Sequence, residues 1–252
     1  MKFMRIILLL VAGIINIPTQ GQKNKKETEK YYVFDKDWKP TTVDKAVYMI
    51  YVEKKNDTTW QSNYYNYVGP LLYVETYRTE ESDTAHGYFA WFNKKGKIDS
   101  CGTLYKGVKH GSWQFFGDSL NPQISHTYEY GKLVKEWKRS DDANKPKGPS
   151  PDEKEASFKN GIPGWRTYIS KNLTTPDRAL KSHMGGTINI GFVILENGEI
   201  GDTRIIKSVE FSLDREGIRV IKKSPAWVPA EKGGKKVKDY HVQPVTFVIT
   251  EN

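Results

Sequence analysis

Thr187-Ile-Asn-Ile-Gly-Phe-Val-Ile-Leu-Glu-Asn-Gly-Glu-Ile-Gly-Asp-Thr-Arg-Ile-Ile206 is the stretch on which the fold turns. Ile188, Ile190, Phe192 and Ile194 recur at period two, which places them on one face of a strand. Asn197-Gly198 separates that run from a second apolar one, and an Asn-Gly pair readily supplies the two positive-φ residues of a type I′ hairpin turn. Working outward, Ser212 to Lys223 reads as a helix with Ser212 as N-cap and Leu213, Gly217, Val220 and Ile221 as its buried stripe. Asp214 and Glu216 stand at the positive end of its dipole, Lys222 and Lys223 at the negative end. Pro225 to Pro229 ends it as an extended turn, and a last strand is expected over Val242-Gln-Pro-Val-Thr-Phe-Val-Ile249.

Upstream of the hairpin, Gly161 to Leu173 predicts a short helix with Ile162, Trp165, Ile169 and Leu173 on one side and Pro163 in its first turn. A second helical turn starts at Pro176. The order ααββαβ predicts an α+β domain over residues 156–252, with helices packed on a three-stranded antiparallel sheet.

Residues 139–155 carry three prolines, many charges and no aromatic residue, the composition of a solvated linker. At roughly 3 Å per residue such a segment reaches at most about 50 Å. Before it, residues 31–138 are dense in Tyr, Trp, Phe and Val, broken by Gly, Asn and Asp, with no period of 3.6. That texture predicts an all-β meander of successive hairpins. Val47–Val52, Leu71–Tyr77 and Gly87–Phe92 are its clearest strands; Asn93–Gly96 and Glu129–Lys132 are its clearest turns. His86-Gly-Tyr-Phe-Ala-Trp-Phe92 recurs as His110-Gly-Ser-Trp-Gln-Phe-Phe116, a shift of 24 residues. A fixed period of one hairpin belongs to a stacked β-array. Its pattern of Tyr105, Gly107, Gly111, Trp113 and Phe115 resembles degenerate MORN-type repeats, and such arrays serve as platforms for protein or lipid contacts.

The residues of a catalytic centre do not assemble. Phe116-Gly-Asp-Ser-Leu120 spells the signature of a hydrolase family, but the late Asp-x-x-His that would supply the base is missing, and Gly117-Asp118 reads as a turn. His86, His110, His126, His183 and His241 have no metal-ligand spacing, so no metal and no cofactor is expected. Cys101 is the sole cysteine, which excludes an internal disulfide and reads as a small buried strand residue.

At the start of the chain, Lys2 and Arg5 precede an apolar run from Ile6 to Ile17 that ends near Pro18-Thr-Gln-Gly-Gln22. A basic flank, an apolar run of about a dozen residues and a polar break describe a cleavable export signal over residues 1–21, since a span needs roughly 20 apolar residues. Retention of the run as an inner-membrane anchor is the alternative. The formal charge of +9 is thinly spread. It suits anionic partners or membrane surfaces, and nucleic acid is not expected in an exported chain.

The motifs Gly186–Ile194, Asn197–Ile200, Ile205–Ser208, Leu213–Ile221, Pro225–Ala230, Gly233–Val237 and Gln243–Phe247 hold, in order and spacing, a resemblance to the C-terminal domain of TonB, the periplasmic energy transducer. The resemblance spans roughly Phe158 to Ile249. It implies a domain whose last strand pairs with the TonB box, a short extended peptide of an outer-membrane transporter. Pro244 cannot donate to a β-ladder and so belongs on an edge strand, which is what strand addition requires. The expected site is therefore Val242, Gln243, Pro244, Val245, Thr246, Phe247 and Val248, with selectivity from side chains near Gln243, Val245 and Phe247. Two departures separate the chain from a working transducer: the short N-terminal apolar run and a linker too short to cross the periplasm. Gly217 stands where that family usually has alanine. The expectation is a non-enzymatic periplasmic binding protein for an outer-membrane transporter or another envelope protein. An anchored transducer, or a structural envelope protein working through its repeats, is the alternative. Exposed sheet edges would also permit a homodimer.

Overall fold

The structure is a computed structural model that describes residues 28–81, 83–142 and 152–249. The expected export signal and residues 143–151 of the expected linker lie outside the described residues.

The aromatic-rich region forms one nine-stranded antiparallel sheet in strict sequence order. Its strands are β1 (Glu29–Phe34), β2 (Tyr48–Asn56), β3 (Thr59–Asn66), β4 (Leu71–Tyr77), β5 (Gly87–Phe92), β6 (Ile98–Tyr105), β7 (Val108–Phe115), β8 (Ile124–Glu129) and β9 (Lys132–Lys138). The 24-residue repeat corresponds to one hairpin: β6–β7 turns at Lys106-Gly107 and β8–β9 at Tyr130-Gly131. Both pairs have two consecutive positive φ angles (49° and 84°, then 45° and 90°), the type I′ geometry that suits strand twist. Phe89, Leu104 and Trp113 form a buried cluster on one face. On Gly102 any side chain would meet the Trp113 ring, with an added Cβ 2.2 Å from it.

The expected linker contributes structure at both ends. Residues Arg139–Asp142 form a 3₁₀ turn, and β10 (Glu153–Lys154) pairs with β13 (Ala230–Lys232), which pairs with β14 (Lys235–Val237). This small second sheet was not anticipated, because strands of two or three residues leave no period to read. Its turn is Gly233-Gly234, both at positive φ.

The C-terminal part otherwise follows the expected order. Helices α1 (Gly161–Asn172) and α2 (Asp177–Lys181) precede the hairpin of β11 (Gly186–Ile194) and β12 (Ile200–Lys207); α3 (Phe211–Lys222) follows, and β15 (Asp239–Phe247) closes the sheet in the order β12-β11-β15. Ile188, Ile190, Phe192 and Ile194 are at most 1% exposed, as the alternation requires. The hairpin turn differs from expectation. Only Gly198 has positive φ; its N–H donates to Leu195 O (2.8 Å), and Leu195 N–H donates to Glu199 O (2.9 Å). This is a type I turn closed by a glycine bulge. Asn197 stays at negative φ because its Oδ1 accepts the Glu199 N–H (3.0 Å).

Two further corrections concern the helices. The N-cap of α3 is Glu210, whose carboxylate accepts from Ser212 N at 2.7 Å, rather than Ser212. Asp214 stands in the first turn as its dipole placement requires, and both it and Glu216 are buried. In α1, Trp165 is buried while Ile162 is 68% exposed, so the apolar side of that helix starts one turn later than periodicity suggests.

Gly217 is the point where α3 lies closest to β11. A Cβ there would stand 2.5 Å from Ile188 Cδ1 and 2.6 Å from Ile190 Cδ1. Alanine would gain about 1 kcal/mol of helix propensity, but overpacking costs about 1–3 kcal/mol. Gly217→Ala is therefore expected to lower stability by about 1 kcal/mol in urea unfolding. In combination with Ile190→Val, which deletes one colliding methyl group, part of that loss should return. A higher urea midpoint for Gly217→Ala alone would show that the contact is not tight.

The two modules share one core. Phe211, at the start of α3, sits in a cup of Tyr31, Tyr51 and Tyr65, with ring centroids at 5.7, 5.3 and 5.3 Å. Arg215 donates to both carboxylate oxygens of Glu29 (3.1 and 3.2 Å) and to Tyr31 Oη (2.6 Å). At the end of β12, Ser208 N–H donates to Gly96 O (2.8 Å) in the β5–β6 turn, and Lys207 bridges to Lys97. Among the described residues no helix is long and apolar enough to cross a membrane.

Candidate functional site: an open sheet edge

β15 pairs with β11 along its whole length, from Gly186 opposite Phe247 to Ile194 opposite Asp239. Its other side is unpaired among the described residues, whereas the far edge of the same sheet, β12, is abutted by the meander at Gly96 and Lys97. The β12 edge is thus occupied at its Lys207 end, and the β15 edge carries no strand at all among the described residues. The strand begins three residues before the expected Val242 and ends at Phe247, so Val248 lies just beyond it, 73% exposed.

Alternation divides the expected site residues between two faces. Val245 (2% exposed) and Phe247 (3%) are in the core, and Gln243 Oε1 accepts the Trp165 indole N–H at 2.6 Å. These side chains anchor the strand to the core and to α1. Val242, Pro244 and Thr246 lie on the opposite face; Pro244 and Thr246 are exposed, and Thr246 Oγ1 is 2.9 Å from Thr187 Oγ1. At the beginning of the strand, Asp239 Oδ2 accepts from Ala156 N and meets His241 Nε2, both at 3.0 Å. The His241 ring stacks on Phe192 with centroids 5.8 Å apart.

The same outer face carries residues that sequence reasoning missed. Tyr240 lies across Gly191, where a Cβ would come within 2.2 Å of its hydroxyl, and the Arg204 guanidinium sits 5.1 Å from the Tyr240 ring. Arg204 reaches the meander, donating to Gln114 Oε1 (3.3 Å) and approaching Cys101 Sγ (3.9 Å). Between this face and β7–β9 opens a groove of about 630 Å³.

A second buried polar group lies on the other side of the junction. Asp214 Oδ2 accepts from Ser208 Oγ (2.5 Å) and Tyr65 Oη (3.2 Å), and Ser208 Oγ also accepts the Leu71 N–H (2.8 Å). Asp214 Oδ1 is buried with no partner. Burial, with Glu210 as a neighbouring negative charge, pushes the Asp214 carboxyl up to about 8. Arg178 ties the neighbouring Glu210 (2.5 Å) to the Tyr67 carbonyl.

Ser119 of the hydrolase-like stretch lies in the turn after β7, its Oγ accepting the Asn121 N–H at 3.0 Å. Among the described residues no cluster of His, Cys, Asp or Glu could hold a metal ion.

The fold and the open edge can now be set beside known proteins. Residues 171–249 match the family model of the Gram-negative bacterial TonB protein C-terminal. That family comprises non-enzymatic energy-transduction and binding domains that interact with outer-membrane transporters. The NMR solution structure of the Helicobacter pylori TonB C-terminal domain is similar at 19% identity, covering 36% of this chain and 96% of that one, with a TM-score of 0.28. No curated protein matches the chain. The TonB match takes in α2, the hairpin, α3 and β15, and stops short of the meander.

Proposed function

We propose that the chain is a periplasmic binding protein whose open β15 edge takes an extended peptide of an outer-membrane transporter or another envelope protein, in the service of transport across the envelope. The observation that carries this is the asymmetry of the three-stranded sheet: β12 is met at its Lys207 end by the meander turn, and β15 has no strand on its outer side among the described residues. In strand addition the main-chain groups give affinity and alternate side chains give selectivity. Here the selecting side chains are Val242, Pro244 and Thr246. Residues 1–21 direct export in this reading, and the MORN-like meander braces the binding sheet. If the N-terminal run stays in the membrane instead, the chain is an anchored transducer. The mass of the mature N-terminus separates the two, a start near Gln22 being expected.

Disulfide trapping tests the edge. In a Cys101→Ser background, single cysteines at Val242, Pro244 and Thr246 should capture a TonB-box peptide carrying one cysteine. Cysteines at Val108 and Leu133, exposed at 41% and 47% on the meander, should not. Equal capture at the two meander positions would sink the edge-strand reading.

A further inference from the structure

The groove between the outer face of the C-terminal sheet and the last three strands of the meander holds cations and no carboxylate. β7, β8 and β9 place Gln114 beside Ser125, Ser125 beside Trp137 and Thr127 beside Lys135, so these side chains share one face. Ser125, Thr127, Lys135 and Arg139 form one wall; Arg204 and Tyr240 form the opposing one. Other arginines at the module junction have carboxylate partners: Arg178 with Glu210, Arg215 with Glu29 and Arg219 with Glu216. Arg204 has none among the described residues. Its guanidinium has a neutral amide oxygen, a thiol and an aromatic ring, and its buried Nε has no partner. An arginine fork held beside water-accessible space without its own anion is arranged to take a carboxylate. Lys135 and Arg139 are exposed on the facing wall and add to the positive potential.

Tyr240 belongs to both places, to the start of β15 and to the groove. Its ring leans over Gly191 towards Arg204, and Arg204, Gly191 and Val242 stand level across the three strands, so the groove lies over the outer face of the sheet whose edge is β15. Given the edge-strand reading, on which this inference rests, we propose that the groove receives an acidic flank of the bound peptide, a run of Asp or Glu next to the residues that pair with β15. The charge selects which extended peptides are accepted.

Two synthetic peptides with the same strand-forming half, one with a flank of three acidic residues and one with the matching Asn/Gln flank, test this with the full chain. The acidic peptide should bind about tenfold more tightly at physiological ionic strength, and the gap should shrink as salt is added. In a Lys135→Glu/Arg139→Glu variant, whose exposed positions leave the fold intact, the preference should vanish or reverse. Backbone amide shifts should appear on β15 with both peptides and at Ser125, Thr127 and Arg204 with the acidic one alone. Equal affinities, or a preference that survives charge reversal, would overturn the inference while leaving the edge in place. Displacement of the acidic peptide by phosphatidylglycerol vesicles would assign the groove to a membrane surface and also overturn it. Shifts confined to the groove would remove the edge-strand reading and with it the inference that rests on it, as would failure of both peptides to bind.

Discussion

Replacing Gly96 by alanine is expected to cost about 3 kcal/mol and to loosen the meander from the C-terminal sheet. Gly96 has φ +72, and a Cβ built on it falls 2.2 Å from Ser208 O and 2.7 Å from Pro70 Cβ. About 1 kcal/mol comes from left-handed backbone strain and about 1 kcal/mol from the Ser208 N–H to Gly96 O bond, which cannot survive the displacement. The remainder comes from moving backbone that Leu71 and Ser208 hold together. Gly107→Ala is the control: φ is +84 there and nothing lies within 4 Å of a built Cβ, so strain alone, about 1 kcal/mol, is expected. Urea unfolding gives the two costs, and amide exchange at Leu71 and Ser208 locates the loss. Equal costs for the two variants would mean that the Gly96 contact does not hold the modules together.

The second large effect is on pH dependence. Asp214 has its carboxyl raised to about 8 in the fold against an ordinary value of 3.8, burial being the main cause. A raised acid binds its proton more tightly in the folded chain than in the unfolded one. The contribution of Asp214 to stability therefore falls as pH rises between about 4 and 8 and is level outside that window. The groups facing it are Tyr65 from β3, Ser208 after β12 and Glu210 at the N-cap, with Arg178 neutralising Glu210 and Arg215 adjacent in sequence. Asp214→Asn puts a neutral amide in the same space. Its advantage over the natural chain should be close to absent at pH 4 and grow to at most about 6 kcal/mol at pH 9. Equilibrium unfolding of both proteins across that range checks the slope. A natural chain whose stability is flat from pH 4 to 8 would contradict the assignment to Asp214.

The secondary structure of the C-terminal part could be read largely from side-chain period. Ile188 to Ile194 and the Leu213, Gly217, Val220 and Ile221 stripe are buried as their spacing demands, and β4 and β5 have the boundaries that the β-prone runs indicate. What periodicity could not convey was a second module lying on the first. Tyr31, Tyr51 and Tyr65 look like any other meander aromatics, yet together they enclose Phe211. Asp214 and Arg204 look like solvated positions on a helix and a strand because nothing local reveals that distant chain covers them. Asn-Gly was equally uninformative about turn type, since both type I′ and a type I turn with a glycine bulge accept it. For the open edge, Pro244 was a sound pointer to strand order. It could not show which side chains face outward, and those turn out to be Val242, Pro244 and Thr246.

The blocked β12 edge also governs how copies of the chain could join. A sheet open on both sides can add neighbours without end, the route to fibres. With Gly96 and Lys97 seated against the end of β12, strand pairing through the three-stranded sheet favours β15, while the meander keeps its own edges at β1 and β9. Two copies meeting β15 to β15 would complete a closed pair about a two-fold axis through this sheet. The turn that joins the modules thus hinders growth through the three-stranded sheet, and loosening it at Gly96 would free the Lys207 end of its second edge.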